Sequence, residues 1–269
     1  MSLTASMLPK LRYPFLIRGS GLSVGCIAAW PMGEDFSSLV LNDLSGMGNH
    51  VDFSANLRWL DNWLGVCPKF NGTDADGTVR NEGHFDFERT DPFSIIAAIY
   101  PYAVDATQSI ISKLASSGSF EGWEFKINSD GTLNLLLENS YGGSNYLSVS
   151  STATLSANDF ALVAATYDGS SSGIGVKLYK DGLDAGNSAS GTLSASILNS
   201  ISPRIGSRNG ASIWFNGQIH SMAVFNRVLD PVEITVWNYD WWCMYREPDS
   251  TWLDAPAPPS KIRHKVVSG

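Results

Sequence analysis

The sequence has 269 residues and a formal net charge of −8, from 18 Lys and Arg against 26 Asp and Glu. This charge predicts no nucleic-acid partner, because non-specific binding to phosphates requires clustered cations. Hydrophobic residues make up 43% of the chain, which excludes a disordered protein. Charged residues make up only 16% and aromatic residues 11%, a composition untypical of a helical protein. The length allows one large β domain or two small ones.

The N-terminal segment predicts neither a membrane span nor a secretory signal. No run of about 18 apolar residues occurs in the chain, so we expect no membrane insertion. Lys10, Arg12 and Arg18 interrupt the first apolar residues, whereas a signal requires an unbroken apolar stretch of about 7–15 residues. We therefore expect folding in a cytoplasm. The cysteines show no paired metal-ligand spacing and are expected to be buried free thiols: Cys26, Cys67 and Cys243.

Residues 1–22 are predicted to form an N-terminal arm, because short apolar pieces alternate there with prolines. From residue 23 the pattern changes to short apolar or alternating runs separated by Gly, Asn, Asp and Ser, which predicts roughly a dozen strands. The clearest are 24–30, 93–100, 109–113, 123–127, 132–137, 160–167 and 175–180, with a pair of short strands over 213–224. The alternation at 123–127 predicts one buried and one solvated face. Helical period is nearly absent, which favours a β-sandwich or barrel over residues 23–238.

Two features follow this strand pattern. Asp230 as N-cap, Pro231 at the first helical position and Glu233 predict a short helix after the last strand. Residues 239–269 are predicted to form a tail that is first aromatic, then proline-rich and then basic. Exposed aromatic residues aggregate unless they pack on their own domain or on a neighbour. The tail tryptophans are therefore predicted to bind a partner protein: Trp241, Trp242 and Trp252.

A series of short motifs in a fixed order resembles a known family. They include WPMGE at 30–34, DLSGMGNH at 43–50, KFNG at 69–72, AATYDG at 164–169, LYKDG at 178–182, FNG at 215–217 and FNRVLDPVEI at 225–234. Together they resemble a laminin-G-like domain of the concanavalin A-like lectin/glucanase superfamily, over residues 24–238. The resemblance implies an all-β fold, a two-sheet antiparallel jelly-roll β-sandwich, here with an N-terminal arm and a C-terminal tail.

The arm and the aromatic tail are similar to those of modules in tailed-bacteriophage virions. This resemblance implies a virion protein made in the host cytoplasm, acting as a capsid decoration, a fibre or a host-surface glycan adhesin. The implied partners are virion proteins of the capsid or tail, cell-surface glycan, or both, and a homo-oligomer is allowed. The alternative is a carbohydrate-binding module on a bacterial extracellular surface.

The superfamily includes β-glucanases, which use a pair of carboxylates. The presence or absence of such a pair therefore indicates whether the chain is a hydrolase or a binding protein. The nearest match is the segment 84–88, in which Asp86 and Glu88 would share one face of a strand. His84 occupies the position of the nucleophile in the β-glucanase pattern, which removes the group that retaining hydrolysis requires. The Gly-x-Ser-x-Gly pattern of a Ser-His-acid site occurs at 21–25 and 169–173, but a strand pattern and not a helix follows each copy, so neither predicts a nucleophile elbow. We therefore predict no catalytic residues, and a polysaccharide-acting glycoside hydrolase is the alternative.

Many relatives hold one structural Ca²⁺, and the resemblance implies a calcium site at Glu34 with further oxygens from Asp43 and Asn49. His220 occupies a position where the relatives have an aspartate. This difference weakens the site, because calcium prefers six to eight oxygen ligands. Side-chain hydrogen bonds to the backbone of a turn explain Asp43 and Asn49 equally well.

Saccharide recognition requires exposed aromatic rings beside amides and carboxylates that bond to hydroxyl groups. Two clusters offer such groups: Tyr141, Asn145 and Tyr146 in a Gly- and Ser-rich loop over 138–148, and Trp214 beside Arg208 and Asn209. As an alternative, each ring packs in the core or anchors a loop. The sequence therefore predicts a non-enzymatic binding or structural module with these two clusters as ligand candidates.

Overall fold

The computed structural model describes residues 15–16, 21–32, 39–62, 65–140, 145–240 and 243–246. Within these residues the chain forms 19 β-strands, one α-helix and three short 3₁₀ helices. The strands are β1 (Phe15–Leu16), β2 (Cys26–Pro31), β3 (Val40–Leu41), β4 (Val51–Phe53), β5 (Arg58–Asn62), β6 (Gly65–Asn71), β7 (Gly77–Val79), β8 (Phe93–Pro101), β9 (Gln108–Leu114), β10 (Gly122–Ile127), β11 (Thr132–Glu138), β12 (Tyr146–Thr154), β13 (Ala161–Tyr167), β14 (Val176–Lys180), β15 (Leu183–Asp184), β16 (Ser188–Ser190), β17 (Arg204–Ile205), β18 (Asn216–Phe225) and β19 (Tyr245–Arg246). The α-helix is α1 (Pro231–Tyr239), and the 3₁₀ helices span Gly21–Ser23, Glu82–Phe85 and Gly173–Gly175.

Two antiparallel sheets lie face to face. The nine-stranded sheet has the order β16-β12-β11-β10-β9-β17-β7-β4-β3. The eight-stranded sheet has the order β15-β14-β13-β8-β18-β6-β5, with β2 also pairing with β18. This arrangement confirms the predicted all-β, two-sheet antiparallel jelly-roll sandwich.

The main core fills the space between the sheets, and β8 shows how the sequence specifies it. Successive side chains of a strand point to opposite faces. In β8, Ile95, Ala97 and Ile99 join the main core, whereas Ile96 and Ala98 belong to a second cluster on the outer side of the eight-stranded sheet. Because both faces of β8 are covered, its apolar run is continuous and does not alternate.

Helix α1 begins as predicted. The Asp230 side chain accepts a hydrogen bond from the backbone N–H of Val232 at 2.8 Å, and Glu233 accepts one from the backbone N–H of Asp230 at 2.8 Å. This reciprocal pair is a capping box, with Pro231 in the first turn. No helix in the described part of the chain is long and apolar enough to cross a membrane.

The segment after α1 packs on the domain. Ile234 and Trp237 of the helix and Met244 and Tyr245 beyond it are buried in the second cluster. Strands β1 and β19 also pair with each other, which joins the described part of the arm to the start of the tail. The tail tryptophans predicted to bind a partner lie outside the described residues: Trp241, Trp242 and Trp252. The three cysteines are all described, and none forms a disulfide.

The structure corrects the prediction of two short strands over 213–224. This segment contains all but the last residue of one long strand, β18, which begins at Asn216. Gly217 does not turn the chain. A Cβ atom at this position would lie 2.4 Å from the carbonyl oxygen of Tyr100, so glycine allows β18 to approach β8 closely.

The loop predicted over 138–148 is shorter than expected. Glu138 is the last residue of β11, and Tyr146 is the first residue of β12. In β12, Leu147 and Val149 are buried in the main core, while serines and threonines occupy the alternate positions. The polar half of this alternation makes the strand resemble a loop in the sequence. Tyr141 lies outside the described residues.

Candidate functional site

The outer side of the nine-stranded sheet is lined by polar side chains. In β10, Trp123 and Phe125 pack into the main core, which turns Glu124 and Lys126 to the outer side. The same alternation applies to β11 and β12, whose inward leucines and valine also belong to the core. We call this surface the polar face and define it by these residues: Glu124, Lys126, Asn134, Glu138, Tyr146, Ser148, Ser150 and Arg208.

Arg208 covers the centre of the polar face. Its guanidinium forms a bidentate ion pair with Glu124, through Nη2 to Oε2 and through Nε to Oε1 at 3.1 Å. Glu124 is therefore 0% exposed. The alternation in β10 predicts a solvated side chain at this position, and that prediction is wrong. Burial opposes ionisation of Glu124, but the hydrogen bonds from Arg208 and the charge of Lys126, 3.5 Å away, outweigh it. The pKa of Glu124 consequently lies below its usual value.

Glu138 and Tyr146 lie side by side as cross-strand partners of β11 and β12. Burial raises the pKa of Glu138, and the charge of Glu124 adds to the rise, while Arg208 and Lys126 offset part of it. No ion pair among the described residues includes Glu138. The two carboxylates of the polar face therefore differ, because Glu124 is held ionised and Glu138 protonates more readily.

Hydroxyl and amide groups adjoin these carboxylates. Asn134 Nδ2 donates hydrogen bonds to Ser148 Oγ and Ser150 Oγ, both at 2.9 Å. Asn134 Oδ1 is buried and accepts no hydrogen bond from the described residues. The ring of Tyr146 is half-buried and lies against Gly191, where an added Cβ atom would come within 2.7 Å of a ring carbon. Carboxylate, amide and hydroxyl groups beside an aromatic ring are the combination that can bind saccharides.

The structure brings two of the predicted ligand residues, Tyr146 and Arg208, to the same face. Asn209 follows Arg208 in a turn, and its Nδ2 donates a hydrogen bond to Ser116 Oγ at 3.2 Å. The loop that carries Arg208 thus attaches to β10 through Glu124 and to the connection between β9 and β10 through Ser116. These two side-chain contacts hold the loop in place in the absence of a ligand.

Asn145 and Trp214 occupy other positions. Asn145 Oδ1 accepts a hydrogen bond from the backbone N–H of Ser194 at 2.8 Å, so its amide anchors the segment after β16. Trp214 is half-buried and follows Ile213, whose carbonyl oxygen accepts a hydrogen bond from the backbone N–H of Ser109 at 2.9 Å. The backbone just before Trp214 is therefore hydrogen-bonded to β9. Asn145, in contrast, lies next to the polar face in the chain, because it directly precedes Tyr146.

Asp86 and Glu88, the carboxylates nearest to a β-glucanase pattern, stabilise the fold. The predicted strand is wrong here, because a 3₁₀ helix at Glu82–Phe85 leads directly into Asp86. Asp86 Oδ1 and Glu82 Oε2 each lie 2.8 Å from Nζ of Lys113, whose side chain is 2% exposed. Glu88 accepts hydrogen bonds from two backbone N–H groups. These carboxylates compensate a buried cation and hold a loop.

The described members of the predicted calcium set, Asp43 and Asn49, do not fit a Ca²⁺ ion. Asp43 Oδ1 accepts hydrogen bonds from two backbone N–H groups, and Oδ2 accepts from the N–H of Asn49 at 2.9 Å and the hydroxyl of Ser45 at 2.6 Å. Asn49 Oδ1 lies 2.8 Å from Nδ1 of His84. These contacts occupy the oxygens that a cation would need. Glu34 lies outside the described residues, which contain no group of three or more His, Cys, Asp or Glu able to hold a metal.

Four residues of the polar face were not predicted as site residues from the sequence: Glu124, Lys126, Asn134 and Glu138. The alternation in β10 and β11 carries the signal that places them on one face. No local pattern shows that Arg208, 84 residues away, covers Glu124.

A family model described as the concanavalin A-like lectin/glucanases superfamily matches residues 71–235, more than half of the chain. The chain belongs to this superfamily. The matched residues include β10, β11, β12 and Arg208, so the polar face lies within the superfamily domain. No curated protein matches the sequence significantly.

Solved structures of low sequence identity share the superfamily fold. The binding domain of paraclostridial mosquitocidal protein 1 has a TM-score of 0.61 and 14% identity, over 82% of this chain and 53% of that chain. Botulinum neurotoxin type C, whose cell entry depends on interaction with two ganglioside molecules, has a TM-score of 0.59 and 17% identity, over 81% and 51%. Domain 4 of a GH43 extracellular arabinanase from Geobacillus stearothermophilus, in complex with arabinotriose, has a TM-score of 0.56 and 15% identity, over 78% and 97%. This chain thus matches about half the length of the toxin structures and nearly all of the arabinanase domain.

Proposed function

We propose that this chain is a non-enzymatic carbohydrate-binding module whose saccharide site is the polar face. The main support is the half-buried ring of Tyr146 beside the carboxyl group of Glu138, with the Ser148 hydroxyl on the next outward row and the Asn134 amide one row beyond it. An aromatic ring stacks on the apolar face of a sugar, and neighbouring carboxylate and amide groups bind its hydroxyls.

The structural neighbours support the same class of ligand. The arabinanase domain carries arabinotriose, and botulinum neurotoxin type C interacts with gangliosides. The net charge of −8 suits a neutral glycan at this face better than a polyanion.

A polysaccharide-acting glycoside hydrolase is the second candidate, because the polar face holds two carboxylates whose pKa shifts have opposite directions. A retaining glycosidase needs two carboxyl groups about 5–5.5 Å apart that both reach the sugar. Glu124 is fully buried, and Arg208 occupies both of its oxygens. This ion pair keeps Glu124 from attacking a sugar, so binding without hydrolysis is better supported.

A glycan array with the full chain, followed by calorimetric titration of the strongest saccharide, tests the proposed function. Tyr146→Ala should weaken binding by at least about tenfold, whereas Tyr146→Phe should retain most of it, because the ring supplies the stacking surface. Tyr239→Ala, at an exposed tyrosine of α1, is the matched control. The same saccharides should remain uncut in a reducing-sugar assay. Equal binding by Tyr146→Ala would contradict the assignment of the site, and cleavage would favour the hydrolase.

We also propose that the arm and tail attach this module to a bacteriophage particle, as capsid decoration, fibre protein or host-surface adhesin. The pairing of β1 with β19 brings these two segments together, which supports a shared attachment point. Deletion of residues 247–269 should release the protein from particles or lower its oligomeric state in sedimentation. Unaltered assembly would contradict the proposal, and binding to a bacterial surface through these segments would favour the alternative location.

A further inference from the structure

We propose that an open groove on the opposite sheet is a second ligand site, which binds an acidic saccharide of the uronate type. The groove has a volume of about 510 Å³ and lies on β5 and β6, near the edge of the eight-stranded sheet. Its lining includes Arg58, Leu60 and Lys69 of the two strands, which we call the floor, and Asn71 at the end of β6 with Asn56 and Asp74 of the flanking loops, which we call the rim. We call it the basic groove. Pockets for small ligands have volumes of about 300–1,000 Å³.

The basic groove lies where the apolar cover of the eight-stranded sheet ends. Ala98 of β8 is buried in the second cluster beneath α1. Two residues further along β8, Tyr100 lies on the same side of the sheet but belongs to neither hydrophobic cluster. From Tyr100 a cross-strand row runs through Gln218 and Lys69 to Arg58. Within this row Gln218 is buried, Tyr100 and Lys69 are half-buried and Arg58 is exposed, so the polar surface opens toward Arg58 at the edge of the sheet.

Arg58 and Lys69 concentrate positive charge in a chain whose net charge is −8. They are direct cross-strand partners, a position in which like charges repel each other. No ion pair among the described residues includes either of them. An anionic group placed between the two cations would relieve this repulsion, so the pair favours a carboxylate ligand.

Both cations are held in position without a carboxylate. Arg58 Nη1 donates hydrogen bonds to the carbonyl oxygens of Ala55 and Leu57, both at 3.0 Å, and these contacts use only one of its nitrogens. Lys69 Nζ lies 5.4 Å from the centre of the Tyr102 ring. A site whose side chains are already ordered loses less conformational entropy when it binds a ligand.

The hydroxyl of Tyr102 anchors this arrangement further. It accepts a hydrogen bond from Gln218 Nε2 at 2.7 Å, and Tyr100 packs edge-on against the Tyr102 ring, with 5.9 Å between the ring centres. The aromatic ring beneath Lys69 is therefore fixed from two sides. The ammonium group remains at the groove, where it can meet an anion.

The rim of the basic groove is acidic and ordered. Asn71 Oδ1 accepts hydrogen bonds from three successive backbone N–H groups, those of residues 73–75. The carboxylate of Asp74 accepts from Asn71 Nδ2 at 2.7 Å and from Asn56 Nδ2 at 2.9 Å. A carboxylate has about four lone-pair sites, so a sugar hydroxyl can donate to Asp74 Oδ2 beside Asn56 Nδ2.

The two sides of the groove define the class of ligand. A basic floor opposite an acidic rim fits a molecule with a carboxylate at one end and several hydroxyls at the other, which is the chemistry of a uronate. A nucleic acid would carry phosphates along its length and would be repelled by Asp74. A neutral sugar would leave the repulsion between Arg58 and Lys69 in place.

Calorimetric titration of the full chain with trigalacturonate at low salt tests this proposal, with galactotriose as the uncharged comparison. Replacing both cations, Arg58→Gln with Lys69→Gln, should weaken binding by at least about tenfold, because charge-assisted hydrogen bonds are lost. Lys177→Gln removes an exposed cation of β14 and is the matched control, which should leave the affinity unchanged. In ¹⁵N-labelled wild-type protein, the amide signals of β5 and β6 should shift during titration, which locates the site without any variant.

Absence of saturable trigalacturonate binding, equal affinity in the double variant, or equal loss in Lys177→Gln would each overturn the proposal. Equal binding of galactotriose, or amide shifts confined to the polar face, would overturn it too. The basic groove shares no residue with the polar face. Tyr146→Ala, which removes the ring of the polar face, is therefore expected to leave trigalacturonate affinity unchanged, so failure at one site is distinguishable from failure at the other.

Discussion

Replacing Arg208 by alanine is the change that we expect to destabilise the sheet most directly. The guanidinium binds both oxygens of Glu124, whose side chain is 0% exposed, and Arg208 itself is 13% exposed. In the Arg208→Ala variant the carboxylate of Glu124 would remain buried with only Lys126 nearby, 3.5 Å away. The variant therefore tests whether the polar face depends on a buried charge that must be compensated.

The expected cost follows from the burial of the pair. Removing one partner of a buried ion pair typically costs about 3–5 kcal/mol, because the remaining charge keeps its desolvation penalty. Lys126 compensates part of this charge, so we expect the lower end, about 3 kcal/mol. For a domain of this size, that loss corresponds to a decrease in Tm of about 6–12 °C.

Urea unfolding monitored by tryptophan fluorescence measures the loss, and Lys177→Ala at an exposed position of β14 is the control. The double variant Arg208→Met with Glu124→Leu should lose less stability than Arg208→Ala, because it leaves neither charge of the pair without its partner. A loss below about 1 kcal/mol for Arg208→Ala, similar to that of an exposed pair, would refute the reasoning. A double variant that loses as much stability as Arg208→Ala, or more, would refute it too.

Three further predictions concern other buried groups. Lys113→Met should lower the free energy of unfolding by about 2 kcal/mol, and Glu82→Gln with Asp86→Asn by about 3–5 kcal/mol. The second change costs more because it leaves a buried ammonium without a carboxylate. A larger loss for Lys113→Met in urea unfolding would contradict this. Burial lowers the pKa of His220 to about 4, from 6.5 in the unfolded chain. The unfolded chain therefore takes up the proton first, and stability is lost as the pH falls from about 6.5 to about 4, by roughly 3 kcal/mol at most. His220→Gln should remove this part of the pH dependence of unfolding, and an unchanged profile would disprove it. EDTA or millimolar calcium should leave the Tm unchanged, because the Asp43 oxygens already accept protein donors; a higher Tm with calcium would show that the ion binds.

Local patterns in the sequence predicted the elements whose causes are local. The turn at Asp130 and Gly131 between β10 and β11 requires only an Asx hydrogen bond, here from the backbone N–H of Thr132 to Asp130 Oδ1 at 3.0 Å, and a residue with positive φ. The capping box before α1 likewise involves residues within four positions of one another. Such signals hold in the structure because neighbouring residues satisfy them without help from distant strands.

The sequence predicted less well those elements whose local pattern fits two different structures. Asn216 and Gly217 resemble a hairpin turn, but they begin a long strand. The deciding contact is with the carbonyl oxygen of Tyr100, more than one hundred residues earlier in the chain. The serines of β12 resemble a loop for a similar reason, since a strand with one polar side contains few apolar residues.

The sequence by itself determined the fold class of this protein, because the period-2 alternation, the turn residues and the helix cap are each set by a few adjacent side chains. Only the tertiary structure decided the two candidate sites. The order of the strands in each sheet joins Glu138 to Tyr146 and Arg58 through Lys69 to Gln218, while one loop places Arg208 over Glu124. These contacts depend on which strands pair and on where loops fold across them, and that is settled by the packing of the whole core and not by any local pattern.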